Sequence, residues 1–237
     1  MSYATVRDYC ESADLLPAIT GHDGDLKNVQ RPWAVKAVLG CVAPPARVLE
    51  IGGGQPVVSG ILSELGYEAI LVDPYDGLDN GPKDLQHSRE HFPHVRIVRD
   101  YFGDNMADFA PASFDVILSV SVLEHFPHGA LASCFSGIAK YLRPGGHSVH
   151  CFDFIVQGPG TEHAFENARY ILEQQKRLNN ESSEPAITLG EVVPRFTDDL
   201  ETFYLSPQGH HNWRGGLPYE QFPYRKVVSL QSVAMKS

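Results

Sequence analysis

The stretch Val48-Leu49-Glu50-Ile51-Gly52-Gly53-Gly54-Gln55-Pro56 constrains the fold of this chain more than any other. A short apolar run, residues 46–51, passes directly into three glycines. Residues 57–65 then repeat apolar side chains at helical spacing, and Gly66 marks the stop. An apolar run without alternation suits a strand buried on both faces, as in parallel sheets covered by helices. Glycine permits positive φ and lets a ligand approach the backbone with no Cβ in the way. In open α/β sheets, ligands bind in the crevice beyond the strand C-termini. The same turn also serves as a plain tight strand–helix connection.

The pattern continues downstream. Residues 69–72, 95–98, 114–120 and 147–152 read as further strands, and residues 131–142 as a helix closed by a turn over 142–146. Alternation at this rate implies right-handed crossovers and an α/β fold with a mainly parallel sheet. Residues 46–156 form this core within one expected domain, 1–237. Residues 1–45 read as a helical cover, with a short apolar stretch at 14–19. Its main helix opens at Arg31-Pro32-Trp33, runs to Leu39 and is stopped by Pro44-Pro45. Residues 157–237 read as a cap: a helix over 162–178, a polar stretch over 179–185, and strands at 202–205 and 226–234 forming a terminal hairpin. About twenty residues rich in Gly, His, Pro and aromatics join those strands, and a loop that long is more often functional than filler.

Composition excludes some functions. With 19 Lys+Arg against 29 Asp+Glu the formal charge is -10. No basic cluster overrides it, which speaks against nucleic acid or an anionic membrane surface as partner. Cys10, Cys41, Cys134 and Cys151 show no metal-ligand or redox spacing. With no visible signal peptide or membrane span, a reduced, cytoplasmic protein is expected. Oligomeric state is not legible.

Two further features bear on the glycine turn. Asp73 ends the second strand, 23 residues beyond Glu50, where a carboxylate can accept hydrogen bonds from a ribose diol. It equally suits a turn before Pro74. The third glycine of a dinucleotide fingerprint is replaced by Val57, and Glu50 on the strand would repel a pyrophosphate. A nicotinamide-dependent oxidoreductase therefore stands as the alternative enzyme. A catalytically inactive cofactor-binding partner protein stands as the non-enzymatic reading.

Taken with Phe114-Asp115-Val116-Ile117-Leu118-Ser119, Val122-Leu123-Glu124-His125-Phe126 and Leu142-Arg143-Pro144-Gly145-Gly146-His147, these motifs resemble the class I S-adenosylmethionine-dependent methyltransferases over residues 46–152. Pro56 departs from the pattern, standing where many members carry another glycine. The resemblance implies a Rossmann-like three-layer sandwich with a mainly parallel seven-stranded sheet and an antiparallel C-terminal strand. It also implies S-adenosyl-L-methionine as cofactor. Gly52, Gly53 and Gly54 would then pass close to the methionine part, with Glu50 helping to anchor its amino group. Asp73 would hold the ribose, Asp100 and Tyr101 the adenine (Asp104 being a rival), and the Ser119 carbonyl the amino group. The Leu123-Glu124-His125-Phe126 segment would pack beneath the cofactor.

The implied reaction is methyl transfer to a small-molecule acceptor, most simply at oxygen. An alcohol or phenol acceptor must lose its proton, for which His is the commonest base. His210 and His211 in the long final loop lead the candidates. His150, within an apolar run, also fits a hydrogen-bonded core histidine, and Asp153 and His163 are expected near the same face. The acidic ligands of a metal-assisted catechol-type mechanism are not visible, so no catalytic metal is expected.

Overall fold

The strand–helix alternation closes into one seven-stranded sheet. The computed structural model describes residues 1–77, 81–180 and 189–237. Its strands are β1 (Ser2–Tyr3), β2 (Arg47–Ile51), β3 (Glu68–Val72), β4 (Arg96–Val98), β5 (Phe114–Val120), β6 (Leu142–Gln157) and β7 (Lys226–Met235), in the spatial order β1-β7-β6-β5-β2-β3-β4. The neighbours from β6 to β4 pair in parallel, β7 is antiparallel to β6, and β1 is antiparallel to β7. Six strands thus share a direction and β7 opposes them.

Helices cover both faces: α1 (Val6–Leu15), α2 (Lys27–Cys41), α3 (Val57–Glu64), α4 (Leu85–His91), α5 (His128–Tyr141), α6 (Thr161–Leu178), α7 (Leu189–Thr197) and α8 (Pro207–Arg214). The layering follows from strand alternation. Leu49 and Ile51 pack toward Leu131, Phe135 and Ile138 of α5 and Ile171 of α6. Val48 faces the other way, onto Val35 and Val38 of α2 and Leu62 of α3. Each fully buried side chain of this kind contributes about 1.5–3 kcal/mol against exposure. The α/β expectation therefore holds, with two apolar layers around a mainly parallel sheet.

The structure corrects four expectations. The helix expected to open at Arg31 begins four residues earlier, at Lys27, whose N–H is taken by the Asp25 carboxylate at 2.8 Å; Pro32 is thus inside the helix and buried. Residues 142–146 are part of β6 rather than a turn. Leu142 pairs with Phe114, and Gly145 and Gly146 exchange backbone hydrogen bonds with Lys236. Strand β6 also runs on to Gln157, because the ten residues of β7 line its whole upper length. Residues 202–205 do not form the first strand of a terminal hairpin. They make only the isolated bridges Thr5↔Thr202 and Tyr204↔Val228, and the edge beside β7 is occupied by β1 from the N-terminal end. The polar stretch 179–185 lies mostly outside the described residues.

Candidate active site

From β2 the chain moves outward through β3 to β4, then returns to β5 on the other side of β2. This reversal between β2 and β5 is the switch point of the sheet, where open α/β folds place their ligand crevice. The glycine turn leaves β2 there. Gly52 and Gly54 hold φ of +62° and +61°. A Cβ on Gly52 would come within 2.6 Å of Val122, and one on Gly53 within 2.8 Å of the Glu50 carboxyl. The turn is thus a bare backbone surface, tied down from behind. The Gly52 N–H donates to the Val72 carbonyl at 2.8 Å, and the Gly54 N–H to Asp73 Oδ2 at 3.1 Å. Tyr75 also braces it, its hydroxyl donating to the Gly54 carbonyl at 3.1 Å.

Asp73 is 5% exposed, and its other oxygen accepts the Tyr75 N–H at 2.8 Å. Burial raises its pKa, opposed by the Tyr75 and Gly54 N–H groups. A carboxylate offers about four lone-pair sites, so two donors leave capacity for a diol. Asp100 and Tyr101 follow β4, which lies beside β3. Both are exposed; Tyr101 is 60% exposed and its hydroxyl donates to Asp76. Asp104 is tied to α5: its backbone carbonyl accepts from Lys140 and Tyr141 and its Oδ1 from the Ser133 hydroxyl.

Glu50 lies under the turn on the α2–α3 side. Its Oε2 accepts the Ser59 N–H at 3.0 Å and the Ser59 hydroxyl, which ties β2 to the first turn of α3. Burial raises its pKa, opposed by the Ser59 bonds and by the positive charge of Arg31 on α2. Arg31, read from the sequence only as the opening of a helix, thus sets a positive charge near this buried carboxyl.

Beyond the turn lie the tips of β5 and β6. Ser121 holds φ +56°, a left-handed conformation unusual for serine, and donates its hydroxyl to Asp153 Oδ2 at 3.2 Å. Gln30 of α2 donates to the other Asp153 oxygen at 2.8 Å. The Asp153 N–H donates to Glu124 Oε1 at 3.0 Å, and Asn167 of α6 holds the Glu124 carbonyl at 3.1 Å. Sequence reading placed Asp153 on this face but took Glu124 as structural. The two are 29 residues apart, and only the parallel pairing of β5 with β6 brings them together.

Residues 27–187, more than half of the chain, match a family described as a methyltransferase domain. The chain belongs to this methyltransferase family. A ubiquinone biosynthesis O-methyltransferase of Proteus mirabilis is 31% identical over 104 residues, 43% of this chain and 39% of that protein. Another, from Stutzerimonas stutzeri, is 29% identical over 161 residues, 66% of this chain and 57% of that protein. The matched part of the methyltransferase thus spans about half the length of these curated relatives or less. Among solved structures, a putative methyltransferase from Bacillus halodurans overlaps 86% of this chain and 99% of its own, with 13% identity and a TM-score of 0.49. A TehB-like methyltransferase from Corynebacterium glutamicum overlaps 70% and 82%, with 19% identity and a TM-score of 0.47.

The family's methyl donor is S-adenosylmethionine, and the residues of this methyltransferase fit it. The bare backbone at Gly52–Gly54, the spare acceptor sites of Asp73 and the exposed Tyr101 offer contacts for an amino-acid end, a ribose and a base.

His150 is the hydrogen-bonded core histidine its apolar run suggested, and the segment of His210 and His211 differs from the loop expected. His150 is wholly buried, its Nδ1 2.7 Å from Ser119 Oγ and its Nε2 2.7 Å from Ser148 Oγ. Burial pushes its pKa down to about 3, so the ring is neutral and enclosed. The segment expected as a loop around His210 and His211 is helix α8, capped by Ser206, whose hydroxyl accepts the Gly209 N–H at 3.0 Å. His210 is buried between Phe222 and Tyr224 with Nε2 3.2 Å from the Pro223 carbonyl. His211 faces outward beside Arg214. Among the described residues, neither forms a hydrogen bond or ring contact with the glycine turn, Asp73, or the β5 and β6 tips. His163 is exposed and touches Asn167. No three His, Cys, Asp or Glu residues among those described gather as a metal site. No described helix is long and apolar enough to cross a membrane.

Proposed function

We propose that this methyltransferase transfers the methyl group of S-adenosylmethionine to a hydroxyl oxygen of a small molecule by in-line displacement. The observation that carries this reading is the bare glycine turn, bonded to Asp73 at the sheet's switch point and facing a polar group at the β5 and β6 tips. The names of the curated relatives support oxygen as the accepting atom, and the -10 charge favours a small acceptor over a polyanion.

Bound at the turn, S-adenosylmethionine supplies an electrophilic methyl group on a sulfonium. The chain's own residues bind and orient. Gly52, Gly53 and Gly54 present backbone to the amino-acid end, the Ser119 carbonyl accepts from its amino group, and Arg31 balances its carboxylate. Glu50 holds the turn from below through Ser59. Asp73 holds the ribose, and Asp100 and Tyr101 the adenine. Residues 1–45 serve as cover and 157–237 as acceptor cap on the 46–156 core. Holding the acceptor in line with the methyl group is the main source of rate: well-oriented reactions gain roughly 7–11 kcal/mol from positioning. The hydroxyl proton must also leave. Of the histidines considered for that task, His150 is enclosed between Ser119 and Ser148, and His210 and His211 lie on α8.

Calorimetry with S-adenosylhomocysteine and with NAD tests the donor, and a labelled-methyl screen over phenols and alcohols tests the acceptor. Binding of S-adenosylhomocysteine alone, with label passing to a hydroxyl compound, is the expected result. Binding of NAD instead would return the oxidoreductase reading. Donor binding with no acceptor methylated would leave a cofactor-binding partner protein.

A further inference from the structure

The polar group at the strand tips contains three buried acceptor atoms with no hydrogen-bond partner among the described residues, Asn167 Oδ1 being one of them. Glu124 Oε2 is buried and has no hydrogen-bond partner among the described residues. Oε1 of Gln30 is in the same position, and Gln30 is wholly buried with its amide donating to Asp153. Buried acceptors are normally paired, and leaving one unpaired is costly. Three of them around one carboxyl pair describe a place for an incoming donor, and a hydroxyl group supplies one. The place also lies at the tips of β5 and β6, beside the switch point, with Ser121 held in a left-handed conformation of the kind that clusters at functional sites.

We propose that Glu124 Oε2 takes the proton of the acceptor hydroxyl, with Asp153 as the positioning residue that sets its basicity. This assignment rests on the oxygen-methylation reading above. In the step, the acceptor O–H bond breaks and its proton forms an O–H bond to Glu124. The acceptor oxygen's electron pair bonds to the methyl carbon. The pair of the broken carbon–sulfur bond stays on the donor's sulfur, and nothing is oxidised or reduced. Glu124 returns the proton to solvent after product leaves.

The surroundings suit a base near neutrality. Burial raises Glu124 to about 7. Burial and the Glu124 charge do the same to Asp153. The pair therefore titrates as a unit, holding one proton around neutral pH and able to take a second. The charged and titratable groups around it are Lys27 and Asp25 at the start of α2, His125 on its own turn, Cys151 on β6, and His163, through Asn167, on α6. Lys27 and His125 draw the carboxyls down and Asp25 pushes Asp153 up.

The test compares wild type with Glu124→Gln and Asp153→Asn, using S-adenosylhomocysteine calorimetry, single-turnover transfer to a phenol acceptor across pH, and carbon-13 NMR titration of the ligand-free carboxyl groups. Glu124→Gln is expected to bind S-adenosylhomocysteine like wild type while transferring about 100-fold more slowly or worse. Asp153→Asn is expected to move the acid limb of transfer to lower pH, because Glu124 then titrates alone rather than as one of two coupled carboxyls. The NMR titration should show a wild-type carboxyl titrating near neutrality that is lost in Glu124→Gln and moved lower in Asp153→Asn. An active wild type whose Glu124→Gln variant keeps its transfer rate above neutral pH overturns the assignment alone, as does a wild type with no near-neutral carboxyl. If Glu124→Gln does not fold, an unmoved acid limb in Asp153→Asn overturns it. A wild type that binds S-adenosylhomocysteine yet methylates no hydroxyl overturns the function reading and the base with it.

Discussion

At the scale of single residues, Asp73 and His150 show how burial decides a role. Asp73 reaches from β3 to the turn after β2, so its substitution should act on both turn geometry and ribose contact. Asp73→Ala is expected to weaken S-adenosylhomocysteine binding by about 10–100-fold, since hydrogen bonds to a charged group contribute about 1.5–3 kcal/mol. Calorimetry measures this directly. His150 is buried neutral, its folded pKa of about 3 lying well below the ordinary 6.5. Its contribution to stability is therefore complete above about pH 6.5 and is lost as pH falls toward 3. Thermal unfolding of His150→Gln between pH 6 and 4 should show a flatter acid decline than wild type, which loses up to about 1.4 kcal/mol per pH unit from this group.

At the scale of elements, the cofactor half was legible and the cap only in part: its helix α6 and strand β7 were read to within a residue, and the segment between them was not. Strands β2, β3 and β5 announce themselves because burial on both faces requires unbroken apolar runs such as Val116-Ile117-Leu118. Residues 202–205 carry the same apolar and aromatic composition for another reason. Leu205 packs against Leu26 and Val227, and Tyr204 donates its hydroxyl to the Phe196 carbonyl at 2.6 Å. Strand β1 is two residues long, too short for any pattern to reveal. Helix α8 was signalled by Ser206-Pro207, a capping pair, yet glycine and two histidines masked it. The Glu124–Asp153 pair was illegible because it depends on strand register rather than local sequence. Strand β1 is held at the sheet edge by Tyr3, which packs edge-on against Phe196 at 5.0 Å and donates to Asp199 at 2.6 Å. Tyr3→Ala is expected to destabilise the fold by about 2 kcal/mol, read as a lowered Tm, with S-adenosylhomocysteine affinity unchanged.

At the scale of the whole molecule, the site's ionisable groups impose opposite slopes on stability. The Glu124–Asp153 pair has folded pKa values of about 7, above the ordinary carboxyl values of 4.5 and 3.8. The stability it contributes is complete below that ordinary range and is lost as pH rises through about 7, opposite to His150. Glu124→Gln should therefore gain stability relative to wild type as pH rises from 5 to 8, a trend that denaturant unfolding at each pH would show. A site that costs stability when charged is consistent with a group kept for chemistry rather than packing. The measurement that tests the account most directly is carbon-13 NMR of the product formed when carbon-13-methyl S-adenosylmethionine and the phenol and alcohol panel are given to the protein. The account predicts a single new methyl signal on oxygen, absent when Asp73→Ala replaces wild type. A methyl signal on nitrogen or carbon, or none with the donor bound, would contradict it.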